Sequence, residues 1–157
     1  MKLLRTIVND YFSARTLPYW CILLLDCIIV AFSGYVGHYL NLGGIGFAGA
    51  FWQITRGLLV GIVLFIIAFR LFHTYSGIVR YSSFIDLQRV AFASLTGSLA
   101  FYLLGLVVNA FWPGQSVIIF PDFLTALILF AISTLILWVE RVVVKRLYDS
   151  FRSDNAE

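Results

Sequence analysis

The sequence predicts an all-α, polytopic membrane protein with four transmembrane helices and both termini on the cytoplasmic side. Three observations carry this. Of 157 residues, 61% are hydrophobic and 12% charged, mean hydropathy is +0.94, and the apolar residues gather into four long stretches. An ordinary soluble domain carries about 25% charge. Eleven basic and eight acidic side chains cannot cover the surface of a 17.7 kDa globule in water, so the hydrophobic excess must face lipid. The same composition excludes disorder, and no polar block is long enough for a separate soluble catalytic domain. The chain is read as a single transmembrane domain, 1–157.

Crossing a hydrocarbon core of about 30 Å takes roughly 20 apolar residues as a helix, which satisfies its own backbone in lipid. Spans are expected at 18–40, 51–72, 90–109 and 121–139. Barrel strands would alternate in hydropathy, and these stretches do not. Lys2, Arg5 and Arg15 precede the first span in the manner of a signal peptide. That span, however, is too long for a signal core, contains Asp26 and lacks a small-x-small cleavage site, so it reads as a retained helix. Between the first two spans, 41–50 is expected to be a flexible outer turn. There Gly44, Gly46 and Gly49 match the letters of a dinucleotide fingerprint, but no strand precedes them and no acidic residue follows about 20 positions later.

Orientation follows from the basic residues, which collect on cytoplasmic flanks. Lys2, Arg5 and Arg15 precede the first span; Arg70, Arg80 and Arg89 surround the second loop; Arg141, Lys145, Arg146 and Arg152 follow the fourth span. The loops at 41–50 and 110–120 hold no Lys or Arg and are expected outside. The net charge of +3 then describes a rim beside anionic lipid and makes no case for nucleic acid. Trp20, Trp52, Trp112 and Trp138 fall near span ends, as interfacial aromatics do.

Few side chains suggest chemistry. Cys21 and Cys27 lie about 9 Å apart along one helix and on different faces, too far for a disulfide. His38 and His73 fall at opposite membrane faces, so neither a metal nor a cofactor site is expected. Asp26 lies about 12 Å into the core, where an acid must be protonated, paired or solvated. Thr96, Ser133 and Thr134 are expected at its depth as donors, and it is read either as a packing polar or as the ionisable centre of a small transporter or flippase. Arg56, about 7.5 Å from the outer end of its span, is expected to snorkel to the interface, and a direct Asp26–Arg56 pair is disfavoured by their separation of about 10 Å in depth. Gly57 and Gly61, and Ala93 and Gly97, form small-x-x-x-small steps that let helices approach closely, within the chain or between copies in a homo-oligomer.

The second loop runs from His73 to Arg89 with aromatic, basic and hydroxyl residues interleaved. Ser83 followed by Asp86 fits a capping box, which starts the third helix one turn before lipid. Ile78, Tyr81 and Phe84 are expected at the headgroup boundary, with Arg80 and Arg89 reaching phosphates.

At this loop the chain resembles the amino-terminal membrane region of the polysaccharide-biosynthesis sugar-nucleotide dehydratases and epimerases, the capsule and O-antigen enzymes acting on UDP-N-acetylglucosamine. Trp20 and Asp26 match a Trp and an Asp of that family's first span; Arg80, Tyr81, Ser83 and Asp86 match its Arg-Tyr-x-Ser-x-x-Asp run; Arg141 matches the Arg after its fourth span. Thr74 and Ser76 depart from the Gly and Arg usual around Tyr75, so the role of that Arg does not carry over. The resemblance implies an anchor in a bacterial inner membrane that locates a cytoplasmic catalytic domain, NAD(P)-dependent and of Rossmann type, at the membrane's inner face. No such domain lies within these residues, so neither activity nor cofactor is expected in them. The segment 141–152 is expected to continue the fourth helix. The initiating sugar-phosphate transferases also begin with four helices and are a related assignment, and a scaffold for polysaccharide assembly enzymes is a third reading.

Overall fold

The structure is a computed structural model that describes residues 19–74, 83–114 and 117–154. These form three helices, α1 (Tyr19–Leu71), α2 (Ser83–Phe111) and α3 (Phe123–Asp154), and no strand occurs among the described residues. Cys21–Leu71, Phe84–Phe111 and Phe123–Arg146 are each long and apolar enough to cross a membrane.

The first helix does not run straight. Gly43 has φ 70° and ψ 169°, a conformation open essentially to glycine alone, and it breaks α1 into two arms. Tyr35 and Thr55 would lie about 30 Å apart on one straight helix. Instead their hydroxyls are 3.0 Å apart, and the Tyr35 ring stacks on Phe51, so the arms fold back antiparallel. The turn expected over 41–50 is thus a one-residue break, and Gly44, Gly46 and Gly49 are helical. Small residues there do not need a loop, because the neighbouring apolar residues favour continuing the helix once Gly43 has reversed the chain.

Each further contact pairs neighbouring elements in antiparallel order. The second arm meets α2 where Gly61 faces Phe101 and Gly97 faces Phe65, a reciprocal fit of bare backbone against aromatic ring. The two small-x-x-x-small steps are therefore spent on packing within the chain. On the other side α2 meets α3 through Tyr102–Phe123 at one end and Trp138–Leu87 at the other. Finally α3 closes against the first arm, where Gly37 admits the Thr125 backbone. Four helical arms thus form a ring around a core of Val30, Ile54, Phe65, Phe69, Val90, Phe101, Leu129 and Leu137. Large apolar side chains such as Leu24, Phe32, Leu59, Leu103 and Leu135 point outward on every arm, the pattern of helices solvated by lipid.

The helix ends are specific. The second arm stops in a Schellman motif, with Thr74 N–H donating to the Phe69 carbonyl and His73 N–H to that of Arg70. His73 takes the left-handed position with φ 49°, and the buried Thr74 hydroxyl donates to the same Phe69 carbonyl. At the other end of the bundle Gly114, with φ 90°, precedes an extended strap, 117–122. The strap lies on the second arm, where Ile119 N–H donates to the Gln53 carbonyl at 3.2 Å. Gly57 permits this, since a Cβ there would meet the Ile119 carbonyl.

Among the described residues α2 begins at Ser83, with Asp86 in its first turn. The α3 helix runs through the basic segment to Asp154, which agrees with expectation.

Candidate functional site

Buried charge concentrates where the first arm meets the middle of α3. On the first arm Ile22, Asp26, Val30 and Ser33 recur at helical spacing and face inward. On α3 Leu129, Ser133, Leu137 and Glu140 do the same, and Arg141 follows at the edge of that stripe. Because the two stripes run antiparallel, Asp26 arrives beside Arg141. The Arg141 Nη2 donates to Asp26 Oδ2 at 2.8 Å, with the Asp26 side chain 0% and the Arg141 side chain 9% exposed. Glu140 Oε2 sits 3.5 Å from Arg141 Nε, its side chain 7% exposed.

This differs from the expected surroundings of Asp26. The exposed Thr96 hydroxyl donates to its own helix at Phe92, and the Ser133 hydroxyl donates to Phe130, so neither serves Asp26. Thr134 is buried with its hydroxyl unbonded. Antiparallel packing of α3 on the first arm instead brings Arg141, on its long stem, within reach of Asp26. Such a pair is a charge-assisted hydrogen bond between two arms far apart in sequence, and its chemistry is that of a fastener. Among the described residues no group of three or more His, Cys, Asp or Glu side chains could hold a metal.

A second tie lies at the same end. The Trp138 indole N–H donates to the Leu87 carbonyl at 3.0 Å and joins α3 to the first turn of α2. Asp86 and Arg89, one turn apart there, approach to 3.9 Å. Arg70, Arg89, Arg141, Lys145 and Arg146 all belong to this end of the bundle.

Arg56 belongs to the other end. It is exposed and reaches within 3.5 Å of the Val117 carbonyl of the strap. Near it stands a polar layer that sequence reasoning missed. Asn41 donates to Asp122 at 3.0 Å. One turn deeper lie His38, 2% exposed with Nε2 unbonded, and Thr125, buried with its hydroxyl unbonded. The only sequence signal for this layer was the spacing of three from His38 to Asn41 and from Asp122 to Thr125. Glu140 was missed as well, although it stands seven residues after Ser133 on the same face.

Of the residues singled out from the sequence, the structure brings Asp26 and Arg141 together and places Arg56 at the opposite end. Ser83 and Asp86 open α2, and Arg80 and Tyr81 lie outside the described residues. Cys21 and Cys27 are both free. Between the two polar ends, the bundle holds Val30, Leu129, Phe65 and Phe101 together with the buried Ser33, Ser133 and Thr134. No protein-family model, no curated protein and no solved structure matches the chain.

Proposed function

We propose that this chain is the membrane anchor region of a polysaccharide-biosynthesis sugar-nucleotide dehydratase or epimerase. It crosses a bacterial inner membrane four times, with both termini cytoplasmic, and holds a catalytic domain at the inner face. The observation that carries this reading is the Asp26–Arg141 pair. The resemblance singles out an Asp in the first span and an Arg after the last, and these two residues are partners across the bundle. Two features add support. Among the described residues Arg70, Arg89, Arg141, Lys145 and Arg146 gather at one end, with Arg56 alone at the other, which fits a single orientation. The α3 helix also runs 13 residues past Arg141 to Asp154, about 20 Å of helix leading away from the bundle.

As an anchor the chain performs no chemistry of its own. Its work is to resist pulling and tilting of the helix that leaves the membrane, and the ion pair does this by fixing α3 to the first arm at the exit. The competing transporter reading takes Asp26 as an ionisable centre, whereas its buried pairing with Arg141 supports the role of a fastener.

The test is the size of the native product. Immunoblotting of source membranes with an antibody against 142–157, followed by intact mass measurement, is expected to find a protein several times heavier than 17.7 kDa. A product of 17.7 kDa, or loss of a proton-coupled flux in proteoliposomes on Asp26→Asn, overturns the anchor reading. Single-cysteine labelling, with Cys21 and Cys27 replaced, is expected to reach Val117→Cys from outside intact cells and Lys145→Cys only after permeabilisation.

A further inference from the structure

The outward faces of α2 and α3 do not close on each other evenly. Leu95, Ser98, Leu99 and Tyr102 on α2 are spaced i, i+3, i+4 and i+7, and so are Phe123, Ala126, Leu127 and Phe130 on α3. These two stripes would interdigitate in a tight pair. Instead they leave a lateral groove of about 150 Å³. Its floor is small, made by Ser98 and Ala126, and its rims are Leu95, Leu99 and Leu127. Tyr102 and Phe123, edge to face with centroids 6.0 Å apart, shut the end nearest the strap. The Ser98 hydroxyl donates to the Leu95 carbonyl, which leaves the floor without an unmet polar demand.

We propose that this groove holds one acyl chain of a bilayer lipid. Shape and direction decide the occupant. The groove runs along the helices for two turns, about 10 Å, within segments apolar enough to cross a membrane, so its long axis follows the direction of lipid chains. An apolar cavity of this volume takes a guest of about benzene size, which matches a run of methylenes. Lipid tails gain nothing from leaving water here, since they are already in hydrocarbon. Retention rests on dispersion contacts, which the groove provides on three sides of a chain where a flat helix face provides one.

The experiment uses the protein in nanodiscs of phosphatidylethanolamine and phosphatidylglycerol, with a photoactivatable diazirine in one acyl chain and adducts mapped by mass spectrometry. Leu59 and Val63 on the second arm, as exposed as Leu99 and Leu127, give the reference for ordinary lipid contact. Adducts are expected to be enriched at Leu99 and Leu127, and Ala126→Phe, which fills the floor, is expected to return that ratio to one. If Ala126→Phe does not fold, as judged by helicity and gel filtration, Ser98→Leu fills the groove from the facing wall and is read by the same ratio. A wild-type ratio of one overturns the proposal, as does enrichment that survives filling in a folded variant. Disulfide-linked dimers of Leu99→Cys would give the groove to a second copy and overturn it equally.

Discussion

Arg141 donates to Asp26 across 2.8 Å, joining residues 115 positions apart, with the carboxylate fully buried. A pair so placed is costly to break on one side only, because the remaining charge keeps its desolvation penalty without its partner. Arg141→Met and Asp26→Leu are each expected to destabilise the bundle by about 3–5 kcal/mol. The double replacement is expected to cost much less than their sum, since an apolar pair of similar volume needs no compensation. Reversible unfolding in detergent, run as a double-mutant cycle, measures this. Additive losses would show that the pair is not a fastener.

Gly43 is the hinge of the helical hairpin. Its φ of 70° with ψ of 169° is a region that a Cβ makes unfavourable by about 1–3 kcal/mol, although nothing lies near enough to clash. Gly43→Ala is therefore expected to lower the midpoint of thermal unfolding through backbone strain alone. Cross-linking of Tyr35→Cys to Thr55→Cys by a bismaleimide spacer reports whether the arms stay together. Retained cross-linking with a lowered midpoint is the expected result.

Gly57 and Gly49 make a contrast of the opposite kind. A Cβ on Gly57 would meet the Ile119 carbonyl, so Gly57→Ala should push the strap off the second arm and expose the Gln53 carbonyl that Ile119 now serves. Gly49 is helical with open space around it, and Gly49→Ala is expected to stabilise by about 0.5–1 kcal/mol through backbone entropy. Thermal midpoints of the two variants should move in opposite directions. Faster hydrogen exchange at Ile119 in Gly57→Ala would locate the damage.

Composition and hydropathy alone determined that the chain is helical and apolar enough to cross a membrane, because a backbone in lipid has few ways to satisfy itself. Local spacing was enough to continue α3 through its basic segment, since helix propagation depends on near neighbours. The break at Gly43 was not legible, because 41–50 carries four glycines and only packing of Tyr35 against Phe51 selects which of them turns the chain. Nor was the partner of Asp26. Sequence reveals an acid among apolar residues and so a need for a donor, but which donor answers depends on the register of two helices 115 residues apart. That register is set by close backbone contacts such as Gly37 against Thr125, which exist only once the bundle has closed.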